Sequence, residues 1–206
     1  MKKLKLFLLM VFTISFFNKA ISQNEAGAKF VSDFNILITS LKELHPVLYK
    51  NISEAEFDKN VAAISARLLH TTSKYQAIYM IQELIYKIGN GHAGNISVYN
   101  GDLETTKCLP FSVYILNNEL YINDYPSDTT YNGIKINTIE GTASKTIIDS
   151  LRIFFPSDGK RDVTCFFLHP FFNCYYRAFC RQKDTFLVGT QKGRIKAIAA
   201  QKGTTL

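Results

Sequence analysis

The chain has 206 residues, of which 47% are hydrophobic and 20% charged, and this balance excludes an intrinsically disordered protein. Its length suits one domain or two small ones, and it is long enough to bury a hydrophobic core without metals or disulfides. A formal net charge of +7 would ordinarily suggest a nucleic-acid partner, so the position of that charge along the chain decides its meaning.

The first 22 residues have the order of a secretory signal peptide. Lysines near the start precede a mostly apolar run over 6–17, and small residues follow at Ala20 and Ser22. The run is too short to cross a bilayer comfortably. We therefore predict a signal peptide that is cleaved near Ser22 or Gln23, with an uncleaved anchor as the alternative. This indicates an exported protein, periplasmic or extracellular, with no stable membrane anchor.

Most of the positive charge lies near the two ends of the chain. Without residues 1–22, the chain keeps 20 basic and 17 acidic side chains, a net charge of +3. Residues 181–206 hold six basic side chains and a single acidic one, Asp184, so residues 23–180 carry a net charge near −2. A nucleic-acid-binding protein normally has a basic face on its folded body. The charge distribution therefore argues against nucleic acid as a partner.

Export would permit disulfides. The chain has four cysteines, which allow three pairings that the sequence does not distinguish: Cys108, Cys165, Cys174 and Cys180. No two of them are spaced as a metal-binding CxxC pair. We favour thiols that are buried or free over disulfides, and the sequence indicates neither a metal nor an organic cofactor.

Helical periodicity dominates the chain before residue 92. Apolar residues recur with helical spacing in three stretches, which start near Phe30, at Ser53 and at Ser73. Ser53 followed by Glu56 has the spacing of a capping box. Residues that end helices follow the first and third stretches, at Pro46, Gly89 and Gly91.

A mixed unit of short strands and one helix follows. A tight turn at Asn117 and Asn118 is predicted to join two strands into a hairpin. The predicted elements are strands over 96–98, 109–116, 120–122 and within 133–141, and a helix over 144–155. Together with the helical part, this predicts an α+β protein.

Aromatic residues crowd the segment from 165 to 180 at near-helical spacing, which is typical of a core or an interface. Residues 186–188 are strand-like, and residues 189–206 are small, basic and weakly patterned. We expect a connecting segment over 161–188 and a basic tail over 189–206.

Among the four histidines, His92 stands apart. His45 and His169 each precede a proline and His70 ends a helix, which are structural positions. His92 lies in the glycine-rich sequence Gly-Asn-Gly-His-Ala-Gly, where the backbone can turn sharply and leave the imidazole accessible. An accessible imidazole can act as the base beside a serine nucleophile, although a turn histidine is more often structural.

Several segments in a fixed order resemble the N-terminal half of the tail-specific (C-terminal processing) serine peptidases, in their tricorn-like branch. These segments are Leu44–Tyr49, Ile88–Gly94, Leu109–Val113 followed by Leu120–Ile122, and Gly133–Gly141. The resemblance implies a helical domain over 24–92 and a PDZ-like domain over 93–160. It implies a peptide or protein as the substrate.

The resemblance also implies that His92 belongs to the catalytic set and partners a serine from a later α/β core. Asn90 stands where an aspartate is usual, which affects the surroundings of the imidazole. The core would follow the PDZ-like domain, and Leu206 comes before it could fit. We therefore expect the N-terminal portion of a secreted serine peptidase, inactive alone. A truncated gene product, a fragment and a secreted non-catalytic peptide-binding module all remain open.

Overall fold

The structure is a computed structural model that describes residues 25–90, 107–156, 168–180 and 183–201. These residues divide into two compact units, with the boundary after Ile88. Over the described ranges, no helix is both long and apolar enough to cross a membrane.

The first unit consists of three helices: α1 over 25–44, α2 over Glu54–Leu68 and α3 over Lys74–Ile88. The Ser53 hydroxyl accepts a hydrogen bond from the backbone N–H of Glu56 at 3.2 Å, which is the predicted cap of α2. Gly89 ends α3 with a φ of 63°, in the left-handed region that glycine tolerates best. The three predicted helices are therefore present.

The core of this unit comes from apolar residues at helical spacing on each helix. Its most buried members are Phe34, Phe57, Leu68, Leu84, Ile85 and Ile88, each at most 2% exposed. Fully burying one such side chain contributes about 1.5–3 kcal/mol. These residues hold the end of α3, which leads into the segment containing His92, against the rest of the bundle.

The second unit is built on antiparallel β-structure. Its strands are β1 Lys107–Cys108, β2 Ser112–Leu116, β3 Glu119–Asp124, β4 Lys135–Ile139, β5 Thr142–Ala143, β6 Thr185–Thr190, β7 Gly193–Ile198 and β8 Ala200–Gln201. The main sheet has the order β2-β3-β4-β6-β7, with β5 paired to β4, while β1 and β8 pair separately. The mixed α+β fold is confirmed.

The β2–β3 hairpin has the predicted turn. Asn117 and Asn118 have φ values of 52° and 62°, and both central residues of a type I′ turn require positive φ. Leu116 lies opposite Glu119, and this register continues to the pair of Val113 and Ile122, before a one-residue shift places Ser112 opposite Asp124. Leu120 therefore faces the core, at 0% exposure.

Helical segments cover the sheet. The helix α4 spans Ser144–Leu151 and continues as a 3-10 turn over Arg152–Phe154, with Ile147, Ile148 and Leu151 buried. We call residues 169–180 the aromatic helix: they comprise the 3-10 turn His169–Phe171, the helix Phe172–Tyr175 and the π-helical turn Tyr176–Cys180. Phe172 and Tyr176 are at most 1% exposed, so the predicted core position of these aromatics is confirmed.

Residues 185–201 differ from the expected connection and basic tail. The strand β6 lies inside the main sheet between β4 and β7, and β7 is its edge. The strand β7 could not be predicted from the sequence, because Ala197 is its one fully buried side chain and the alternation of apolar and polar residues is weak there. Backbone pairing with β6 organises this segment instead of apolar burial.

The cysteines that the structure describes are largely inside the second unit. Cys108 and Cys174 are buried, and Cys180 is half-buried. Cys165 and the predicted strand over 96–98 lie outside the described residues.

Candidate functional site

The predicted catalytic residue, His92, lies outside the described residues, and the structure describes its segment as far as Asn90. The side-chain amide of Asn51 donates a hydrogen bond to the carbonyl oxygen of Ile88 at 3.2 Å. Ile88 is the last residue of α3 and is 1% exposed. The amide of Asn51 therefore holds the backbone at the residue directly before the glycine-rich sequence.

The Leu44–Tyr49 segment, which carries part of the family resemblance, packs into the same unit. Leu48 is 4% exposed, and the ring of Tyr49 meets the ring of Phe57 edge-on at 5.9 Å between centroids. The ring nitrogen Nδ1 of His45 accepts a hydrogen bond from the backbone N–H of Val47 at 3.3 Å. His45 thus stabilises the turn after α1, as predicted.

The other two described histidines also hold structural positions. The backbone N–H of His70 donates to the carbonyl of Arg67 at 3.2 Å, where α2 ends. His169 begins the 3-10 turn of the aromatic helix. Among the residues that the structure describes, no group of three or more histidines, cysteines and carboxylates could hold a metal ion.

The outer edge of β2 is a candidate peptide-binding site in the second unit. Because Leu116 and Glu119 close a two-residue hairpin, Tyr114 faces β3 with its backbone N–H and C=O groups. Val113 and Ile115 alternate with it, so their backbone groups point away from β3. An extended peptide could add to this edge as a further strand.

Asn173 occupies the continuation of that edge just before β2. Its side-chain amide donates hydrogen bonds to the carbonyl oxygens of Phe111, at 2.7 Å, and Leu109, at 3.4 Å. These alternate carbonyls are the groups that an added strand would otherwise use. Among the described residues, the part of this edge without an outward backbone partner is therefore Val113–Ile115. Sequence reasoning missed Asn173, and its one signal was a polar residue within an aromatic helix.

A polar cluster lies on the solvent-facing side of this sheet region. The rings of Tyr114 and Tyr121 stack at 5.0 Å with an interplanar angle of 8°. The Tyr121 hydroxyl donates to the Glu119 carboxylate at 2.8 Å, and the Lys135 ammonium pairs with the same carboxylate. The alternation of β3 places Glu119 and Tyr121 on one face, but only the register with β4 brings Lys135 beside them.

Hydrogen bonding within this cluster shifts three ionisation equilibria. The hydrogen bond from Lys135, followed by that from Tyr121, lowers the pKa of Glu119 below its ordinary value. The same contacts with Glu119 raise the pKa of Tyr121 and the pKa of Lys135. The carboxylate and the ammonium therefore stay charged at neutral pH. The cluster stabilises the sheet and provides no titrating group for acid–base catalysis near neutral pH.

A shallow pocket of about 220 Å³ opens beside the cluster, between β3, β4 and the start of α4. Two lysines in its lining already form ion pairs: Lys135 with Glu119, and Lys145 with Asp149 at 2.5 Å. Its charges are balanced within the unit, and it contains no nucleophile with a base beside it.

Comparison with known proteins identifies the fold. No family model and no curated protein matches the chain. Three solved structures of CPAF, the chlamydial protease-like activity factor, do match: a point mutant, the mature protein, and the mature protein complexed with lactacystin. Their sequence identities are 13%, 14% and 13%, and the TM-scores are 0.56, 0.53 and 0.56.

CPAF is a serine protease. This chain therefore has a protease-related fold. Each match covers 86% of this chain and 35% or 36% of the CPAF chain, so this chain spans about a third of the length of the proteins it matches.

Proposed function

We propose that this chain is the N-terminal portion of a secreted serine-type peptidase of the tail-specific family, and that it is inactive alone. The observation that carries the proposal is the match of 86% of this chain to about a third of a serine protease. The order of the resembling segments supports the same assignment.

In this proposal His92 is the general base that takes a proton from the nucleophilic serine of a later core. Its turn starts from α3, whose end is held by Asn51 and by burial of Ile88. A base must lie within hydrogen-bond reach of the serine, so a rigid start for the turn favours catalysis. The β-unit would present an extended peptide to that core.

The test compares hydrolysis of an unstructured protein substrate by this chain and by a longer product read from the same locus. We expect turnover only from the longer product, and loss of about 10⁴-fold or more with His92→Ala. His70→Ala is the matched control, because His70 lies at the end of α2 and should leave turnover unchanged. Turnover by this chain alone, or full activity of His92→Ala, would contradict the proposal.

A second candidate function is peptide capture without catalysis, at the open edge of β2. The outward backbone groups of Val113 and Ile115 favour it. Ile115→Pro removes an outward N–H without removing a bond to β3, so it should weaken binding of a fluorescent peptide. Ile115→Val keeps that N–H and should bind normally. Equal binding by both variants would exclude this edge.

Export is also part of the proposal and has its own test. The protein should be found outside the cytoplasm, and mass spectrometry of the mature form should give a new N-terminus at Gln23 or Asn24. Replacing an apolar residue of the predicted signal, Leu8→Arg, should retain the uncut chain inside the cell. A chain that keeps Met1 after export would favour the anchor instead.

A further inference from the structure

In the part of the second unit that the structure describes, β7 is an edge strand with no partner on its outer side, while β1 pairs with the following strand, β8, at Ala200 and Gln201. Thr190 and Gly193 close the β6–β7 hairpin, so alternate residues of β7 bond to β6. The backbone bond from Ala199 N–H to the Asp184 carbonyl, at 2.9 Å, follows the same alternation. The backbone N–H and C=O groups of Arg194, Lys196 and Ile198 therefore point away from β6.

The side chains of these residues lie on the exposed face of the sheet. Arg194 and Lys196 are exposed, and within the described ranges neither has a hydrogen bond or an ion pair. Ile198 is 72% exposed, and Leu187, which lies opposite Lys196 on β6, is 44% exposed. The edge thus combines two unpaired cations with adjacent apolar surface.

Nearby carboxylates are already matched by other cations. Glu140 pairs with Lys183, and Asp184 lies 3.8 Å from Lys107. Gly189 lies opposite Arg194, so no side chain covers the guanidinium from β6. Among the described residues, the two cations at this edge are therefore without a carboxylate partner.

Charge also distinguishes between possible partners. In an antiparallel pairing of β7 with a second copy of itself, Arg194 of one chain would lie near Lys196 of the other, and like charges directly opposite are destabilising. Basic residues on an edge strand protect it against such self-association. The same residues attract a strand that carries carboxylates at alternate positions.

We propose that β7 accepts an acidic extended segment of a partner protein as an additional antiparallel strand. Antiparallel pairing fixes the order of the partner's residues. An apolar residue lies opposite Ile198, and acidic residues lie opposite Lys196 and then Arg194. The partner therefore has the pattern apolar–any–acidic–any–acidic from its N-terminus to its C-terminus. This inference is independent of the proposed peptidase activity.

The test uses the full chain and fluorescence anisotropy with a labelled peptide, Thr-Val-Thr-Glu-Thr-Glu-Thr. We expect saturable binding that weakens at higher salt, and at least tenfold weaker binding of the peptide with lysines in place of both glutamates. The double variant Arg194→Glu/Lys196→Glu should reverse this preference. The charge reversal Lys59→Glu, at an exposed position of α2, should leave acidic-peptide binding unchanged.

Two further comparisons separate strand addition from simple charge attraction. Lys196→Pro and Lys196→Gln both remove the positive charge, but only the proline variant also removes the outward backbone N–H. Lys196→Pro should therefore bind the peptide at least several-fold more weakly than Lys196→Gln. N-methylation of both glutamates in the peptide should abolish binding without changing the protein. Equal binding of methylated and unmethylated peptides, or no preference for glutamate over lysine, would overturn the proposal. Concentration-dependent dimerisation that blocks peptide binding would identify a second copy as the occupant and also overturn it.

Discussion

Leu187 makes both of its backbone hydrogen bonds on the β4 side with one residue, Glu140. The Leu187 carbonyl accepts from the backbone N–H of Glu140 at 2.8 Å, and the Leu187 N–H donates to the Glu140 carboxylate at 2.7 Å. The carboxylate also pairs with Lys183 and is 12% exposed. Glu140 follows β4 directly and has a φ of 54°, so a left-handed glutamate fixes β6 beside β4.

Replacing Glu140 should destabilise the β-unit through two separable effects. Glu140→Ala removes a charge-assisted hydrogen bond, which contributes about 1.5–3 kcal/mol. Like glutamate, alanine has a β-carbon, which raises the free energy of the left-handed conformation by about 1 kcal/mol; glycine has no β-carbon and no such penalty. We therefore expect the free energy of unfolding to fall in both Glu140→Ala and Glu140→Gly, with the smaller loss in glycine. Urea unfolding measures both, and a loss below 0.5 kcal/mol in Glu140→Ala would contradict this role.

Asn173 should hold the segment before β2 through its amide. Asn173→Leu removes the donor and leaves the carbonyls of Phe111 and Leu109 without it, at an expected loss of about 1–3 kcal/mol. Asn173→Asp should be worse, since it places carboxylate oxygens against two carbonyl oxygens. The measurement is urea unfolding at neutral pH. Equal stability of the aspartate variant and the original protein would show that the amide bonds contribute nothing.

The sequence correctly predicted those elements for which the local sequence signals and the pattern of buried residues indicate the same structure. The Ser53 cap, the paired asparagines of the β2–β3 turn and the buried stripe of α4 all follow from short-range rules. The strand β7 does not follow from short-range rules, because its side chains are mostly exposed and it forms only through pairing with β6 in the sheet. The bonds of Asn173 to the residues before β2 span more than sixty positions, which no local pattern can indicate.

The candidate site shows the same division. A glycine-rich turn with a histidine, and the order of the resembling segments, are visible in the sequence. The restriction of the β2 edge to three residues is not, because it depends on where the aromatic helix packs. Likewise, the sequence predicts Arg194 and Lys196 only as part of a basic tail, and the structure places both on the strand β7.

The pairing of β4 with β6 should require glycine at position 189, because the backbone there lies close to the side chain of Thr138. A β-carbon added at Gly189 would lie 2.4 Å from the Thr138 hydroxyl oxygen, well inside contact distance. Gly189→Ala should therefore destabilise the protein by about 1–3 kcal/mol. Adding Thr138→Ala removes the obstructing hydroxyl and should recover part of that loss. The two single variants and the double variant form a cycle by urea unfolding. Additive losses would show that the two side chains do not compete for space.

Acid should weaken the Glu119 cluster in a defined direction. The pKa of Glu119 lies below its ordinary value of 4.5, first because Lys135 donates to its carboxylate and second because Tyr121 does. A carboxyl with a lowered folded-state pKa contributes stability above the unfolded pKa and loses it as pH falls through the folded pKa. The stability difference between the original protein and Glu119→Gln should therefore be constant near neutral pH and shrink below pH 4.5.

Two lysine variants test the source of this pH dependence. Lys135→Met should remove most of it, whereas Lys145→Met, which loses an ion pair with Asp149 instead, should retain it. Urea unfolding between about pH 3 and pH 7 measures this difference. A difference that grows on acidification would reverse the sign and contradict the assigned contacts.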